Sequence, residues 1–149
     1  MSSQDAISTY ALIGCSNKKV PIAMPAWSMY LGSTFATFAA YSRLENLRRF
    51  ILSGKHGLLD PYVVIEPYDF DLEASNDATQ REWGDRVAAQ IKETIPGPAR
   101  LVFMAGPVYR DRVIDILSAD ADRYETRILT IEKARQLVDA HYRGCGVHS

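Results

Sequence analysis

Two cysteines, Cys15 and Cys145, lie near opposite ends of the chain, too few and too far apart for a secreted disulfide framework or a paired-cysteine zinc site. The default reading is reduced thiols in a cytoplasm. No apolar run is long enough to span a bilayer, and the start Met1-Ser2-Ser3-Gln4-Asp5 has neither the basic charge nor the apolar core of a signal peptide. A soluble, cytoplasmic protein with no membrane partner is therefore expected. An excess of one charge is missing as well: the net charge is −1, which argues against a broad basic surface for non-specific nucleic-acid binding but leaves room for a local basic groove. Metal-ligand spacing is also lacking, so neither a metal nor another cofactor is expected, although His56 with nearby loop carboxylates has the donor types to gather one.

What is present is an ordinary globular composition, 47% hydrophobic and 23% charged over 149 residues, which suits one domain with a real core. The folded part is expected over about 8–142, between short flexible tails. Short β-rich runs at 10–14, 49–53 and 100–104 alternate with segments of helical period, which predicts βαβ units in a three-layer α/β/α domain whose central, mostly parallel sheet has about four strands. Trp27, Tyr30, Leu31, Thr34, Phe35, Phe38 and Tyr41 recur at three- and four-residue steps and predict a first helix over 26–43. A second helix is predicted over 77–94, between the Ser75-Asn76-Asp77 capping cluster and Pro96-Gly97-Pro98. A third follows at 109–118, then an edge strand over Tyr124–Leu129. Thr130 caps a last helix to about 142, with Ile131, Ala134, Leu137 and Val138 facing inward. The stretch from Leu58 to Asn76 reads as a loop too long for a mere connector.

Polar, glycine-bearing segments stand directly behind the three strands. They are Gly14-Cys15-Ser16-Asn17-Lys18-Lys19, Ser53-Gly54-Lys55-His56-Gly57 and Ala105-Gly106-Pro107-Val108-Tyr109-Arg110. Parallel sheets keep their ligand sites at the carboxyl ends of the strands, so the three exits predict one shared site. At the first exit the amides of Cys15, Ser16 and Asn17, the Ser16 hydroxyl and the Lys18 and Lys19 ammonium groups can hold a phosphate or another oxyanion; the plainer alternative is a solvated basic turn. The spacing is that of neither a P-loop nor a dinucleotide fingerprint. Cys15, among lysines and turn amides, is also a candidate nucleophile, against a small buried residue.

At the second exit His56 can serve as general base, general acid or donor to a leaving group, while a packed, satisfied histidine is the rival reading. Gly54 and Gly57 flank it with Lys55. The long loop adds Ile65-Glu66-Pro67-Tyr68-Asp69, where Glu66 and Asp69 flank a stiff Pro67-Tyr68 pair and can position water or steady positive charge on a sugar ring. Tyr68 can stack on a base or simply hold the loop down. At the third exit Gly106 permits close approach, and Tyr109 with Arg110 opens a helix whose N-terminus favours anions, unless Arg110 pairs with Asp111. Arg43, Arg48 and Arg49 precede the second strand, at its other end, and read as solvated surface outside the site.

Leu12-Ile13-Gly14-Cys15-Ser16-Asn17-Lys18-Lys19, Tyr30-Leu31-Gly32-Ser33-Thr34-Phe35, Ile51 to Leu59 and Ile65-Glu66-Pro67-Tyr68-Asp69 resemble a small DUF-type family of bacterial and phage proteins related to YaaA, over about residues 10–140. More distantly, the Cys-Ser-x-Lys-Lys start and the Leu-Ser-x-x-x-Gly strand exit are similar to a domain of archaeosine synthase, itself akin to uracil-DNA glycosylase folds. The resemblance implies an α/β/α domain related to nucleobase-handling proteins and adds Tyr30, Ser33 and Ser53 to the candidate ligand-binding residues. The aspartate-containing water-activating motif of a standard uracil-DNA glycosylase is missing.

Together these features predict an enzyme acting on a nucleobase, nucleoside or modified base in DNA, by cleavage or exchange of an N-glycosidic bond. In that scheme Ser16 with Lys18 or Lys19 holds phosphate, His56 assists departure of the base, and Glu66 or Asp69 positions water. The alternative is a non-catalytic module that binds a nucleotide or nucleic-acid end, in a stress or phage-related system; a structural domain with an exposed apolar patch is a third.

Overall fold

A computed structural model describes residues 7–146. Of the expected tails outside about 8–142, residues 1–6 and 147–149 lie outside the described residues. Seven strands and five helices follow one another as β1 (Ser8–Gly14), β2 (Met24–Pro25), α1 (Ala26–Met29), α2 (Ser33–Leu44), β3 (Arg48–Ser53), β4 (Gly57–Leu59), β5 (Val64–Ile65), α3 (Asp77–Thr94), β6 (Ala99–Met104), α4 (Pro107–Ser118), β7 (Tyr124–Ile128) and α5 (Ile131–Gly146). Five strands form the central sheet in the order β4-β3-β1-β6-β7, and β2 pairs with β5 in a separate two-stranded ribbon. Within the central sheet pairing is parallel from β3 through β7 and antiparallel between β3 and β4, and the β2–β5 ribbon is antiparallel too. The arrangement is the expected three-layer α/β/α one, with five strands rather than about four.

The layers follow from alternation along the strands. In β1, Leu12 points to the face covered by α3 and α4, where it meets Trp83, Val87, Ile91, Val113 and Leu117. Its neighbours Ala11 and Ile13 point to the other face, where Met29, Phe35, Phe38 and Ala134 belong to α1, α2 and α5. A central strand buried on both faces needs the unbroken apolar run Ala11-Leu12-Ile13, all fully buried.

Helix α3 covers the expected residues because its ends are chemically marked. Asn76 accepts a hydrogen bond from the Thr79 amide at 2.8 Å, and the chain leaves the helix at Ile95 before Pro96. The Thr130 hydroxyl likewise accepts from the Lys133 amide at 3.2 Å and starts α5, which continues beyond 142 to Gly146. On α5, Ala134 is buried, but Leu137 lies exposed instead of inward. Helix α4 starts at Pro107, two residues before the predicted position, because proline suits the first helical turn.

The predicted first helix over 26–43 is two helices. After α1 the chain turns extended at Tyr30, which bridges to Lys19, and Gly32 takes φ 116° before α2 begins. That left-handed conformation is one glycine tolerates and other residues resist. The supposed loop over 58–76 also carries structure, most of β4 and all of β5. Among the described residues no helix is long and apolar enough to cross a membrane.

Candidate functional site

Strand β1 lies between β3 and β6, so the chain leaves β1 toward one side of the sheet and later returns on the other. In doubly wound sheets this switch opens a crevice at the carboxyl ends of the strands. Here the crevice measures about 160 Å³ and is lined by Gly14, Cys15, Ser16 and Asn17 from the first exit, by Ala105, Gly106 and Tyr109 from the third, and by Thr34, Phe38 and Glu73. Gly14 allows the two exits to approach: a Cβ there would stand 3.0 Å from the Ala105 Cβ. The first turns of α2 and α4 reach the crevice through Thr34 and Tyr109, and neither helix has a side-chain cap hydrogen bond among the described residues. Their N-terminal dipoles therefore lack a local side-chain oxygen. Cys15 is a free thiol whose Sγ lies 3.7 Å from the Tyr109 hydroxyl. Burial, together with the neighbouring Cys15 sulfur, pushes the Tyr109 phenol well above its ordinary range.

The second exit opens into a different and larger cleft of about 540 Å³, between the 54–55 turn, the 67–72 segment and α3. Of the candidates, Gly54, Lys55, Tyr68 and Asp69 line it, together with Phe70, Leu72, Thr79, Glu82, Trp83 and Arg86. One shared site was expected; the exits instead serve two clefts, with Leu72 lining one and Glu73 the other.

Tyr68 organises the wall of the larger cleft. Its hydroxyl is hydrogen-bonded at 2.7 Å to the buried Ser53 Oγ and at 2.7 Å to the Tyr30 hydroxyl. Ser53 also accepts from the His56 amide at 3.0 Å, and its carbonyl accepts from Trp83 Nε1 at 2.8 Å. A turn, a loop and a helix are thus tied to the end of β3 through one serine. Cations sit against the Tyr68 ring, Lys19 Nζ at 4.3 Å from its centroid and Lys55 Nζ at 5.7 Å. Desolvation raises the pKa values of Tyr68 and Tyr30 above the ordinary phenol range.

His56 does not line either cleft. It packs edge-on against Tyr68 with ring centroids 5.4 Å apart, and its buried Nε2 has no hydrogen-bond partner among the described residues. Desolvation, then the Lys55 and Arg86 charges, lowers its pKa below the ordinary 6.5 and holds it neutral at pH 7.

Other candidates stand apart. Glu66 is exposed and lines neither cleft, because it follows the inward-facing Ile65 along extended chain and takes the opposite side. Ser33 is exposed in the first turn of α2, and Lys18 is exposed beyond the crevice. Arg110 is spoken for, donating to the Ala105 carbonyl at 2.9 Å and pairing with Asp111 at 3.2 Å. Asn17 donates to Asp71 at 3.4 Å, and Lys19 to the Asn17 carbonyl at 3.1 Å. Among the described residues no three His, Cys, Asp or Glu side chains gather into a metal-holding group.

Thr79, Glu82 and Arg86 escaped the sequence reading. The signal existed: with Trp83 they repeat at helical steps of three and four and so share one stripe of α3.

None of the curated proteins matches the chain. The model of a family of unknown function, DUF6884, matches residues 10–139, which takes in every strand exit and both clefts, and the chain belongs to that family.

Proposed function

We propose that the protein binds a nucleobase-bearing ligand in the larger cleft and cleaves or exchanges its N-glycosidic bond. The observation that carries this reading is the lining of that cleft. Aromatic rings (Tyr68, Phe70, Trp83), cations (Lys55, Arg86) and carboxylates (Asp69, Glu82) converge on one opening of small-molecule size. A base stacks on the Tyr68 or Phe70 ring, while Lys55 and Arg86 take a phosphate. Asp69 or Glu82 then activates water or steadies the sugar as it gains positive charge. Glu66 yields that role to Asp69, and His56 acts through Tyr68, which it positions. Kinship with YaaA and with glycosylase-like folds is part of the proposal and supports the choice of substrate.

One observation favours the non-catalytic alternative. His56 packs against Tyr68 and lines neither cleft, so it is not placed to give a proton to a departing base, and a binding module needs nothing more than is already in place. Chromatographic assay of base release separates the two, using free nucleosides, nucleotides and short single- and double-stranded DNA. A catalytic cleft releases base from one class, and Asp69→Asn or Glu82→Gln lowers the rate by about 10²-fold or more. Ligand-induced thermal stabilisation without base release assigns the cleft to binding; neither stabilisation nor release overturns the nucleobase reading.

A further inference from the structure

At the amino ends of the strands, about 17 Å from the clefts by strand rise, lies a second cluster that the site above does not use. Arg48 and Arg49 begin β3 and line a groove of about 370 Å³ with Tyr10, Phe50, Asp60 and Tyr62. Among the described residues neither arginine is in an ion pair, and nor is the nearby Arg43. Neutral groups hold them instead. The Arg48 guanidinium donates to the Tyr10 hydroxyl at 3.1 Å, and Arg49 donates to the Tyr62 hydroxyl at 3.2 Å. Arg49 and Arg43 also lie over the Trp27 ring, 4.6 and 6.0 Å from its centroid.

A guanidinium fixed by a carboxylate is neutralised, whereas one fixed by a phenol keeps its full charge and most of its five donors. The Asp60 carboxylate is the acid in this groove, and it accepts from the Tyr62 amide at 2.8 Å. Tyr62, 68% exposed, offers an open ring face beside the arginines. Oriented, uncompensated cations next to an open aromatic face match a phosphodiester chain with unstacked bases. We infer that this end of the sheet is a docking surface for single-stranded nucleic acid, independent of what the upper clefts hold.

The test is fluorescence anisotropy of a labelled twelve-nucleotide oligo(dT), titrated from 50 to 300 mM salt. Each phosphate neutralised on a single strand contributes about −0.7 to the slope of log K against log salt. Three guanidinia give about −2. Arg48→Gln with Arg49→Gln weakens binding at least tenfold at 50 mM salt and makes the slope shallower by about 1.4. Tyr62→Ala changes an exposed side chain, preserves the fold and weakens binding about fivefold or more through lost stacking. Lys133→Gln, an exposed cation on α5, leaves binding unchanged. The inference is overturned by absence of binding at 50 mM salt, or by wild-type affinity in the Arg48/Arg49 and Tyr62 variants. Displacement by poly-glutamate as effective as by unlabelled oligo(dT) overturns it too, and assigns the surface to an acidic polypeptide. Should the double variant fail to fold, Tyr62→Ala decides alone.

Discussion

Tyrosines meet cationic side chains at both ends of the sheet, but their hydroxyls have opposite partners. At the carboxyl end Tyr30, Tyr68 and Ser53 bond to one another in a desolvated chain, and the cations rest on ring faces. At the amino end Tyr10 and Tyr62 give their hydroxyl oxygens to arginines, and the groups remain near water. The difference teaches that residue type alone does not set a site's character. Burial makes the upper network a structural joint as well as a cleft wall, because each buried group depends on its partner. Exposure makes the lower cluster cheap to alter and open to a partner.

The contrast breaks first at the tryptophans. Trp83→Ala removes a buried side chain and its hydrogen bond to the Ser53 carbonyl, and should cost about 3–5 kcal/mol in urea denaturation. Trp27→Ala, at the half-buried lower position, should cost clearly less. Equal losses would erase the distinction. Next, Ser53→Ala strips the His56 amide and the Tyr68 hydroxyl of a partner and should cost about 2 kcal/mol. A loss under about 0.5 kcal/mol would show that the upper network carries no strength.

Matched hydroxyl deletions sharpen the comparison. Tyr68→Phe should cost about 1–2 kcal/mol, whereas Tyr62→Phe should stay within about 0.5 kcal/mol. The Tyr68 contribution is present below pH 10, the ordinary phenol value, and declines as pH rises beyond it, since the unfolded phenol ionises while the folded one does not. Tyr68→Phe should therefore also flatten the alkaline fall in stability.

The smallest effect lies on the acid side. The folded His56 pKa is lowered, so below about pH 6.5 the unfolded chain binds a proton that the folded chain resists, and stability falls with pH. A stability profile between pH 7.5 and 5 should fall less steeply for His56→Gln than for the wild type. Identical profiles would mean that His56 is solvated in the folded state.

Much of the frame was legible because local signals agreed with global packing. Asn76 and Pro96 bound α3, and the apolar runs ahead of each polar exit became β1, β3 and β6. The break between α1 and α2 was hidden by residues whose helical period continues across it, while the decisive events are tertiary. Tyr30 leaves the helical path to meet Lys19 and Tyr68, far along the chain. Cys15, Gly106 and Tyr109 gather as strand exits should, since strand order alone places them together. Division into two clefts was not legible, because it depends on how residues 71–73 cross the sheet end. Nor was the withdrawal of Glu66, which turns on the orientation of Ile65 in a two-residue strand.

Strand order also constrains the birth of the molecule on the ribosome. Strand β1 pairs with β3 on one side, but on the other Ser8 waits for Ala99 and Ile13 for Met104. Until β6 has emerged, one edge of an apolar strand is open to any chain that can pair with it. A nascent chain halted before residue 99 should therefore be far more prone to aggregate or to engage chaperones than one halted after β7, when β6 covers that edge and β7 in turn covers β6.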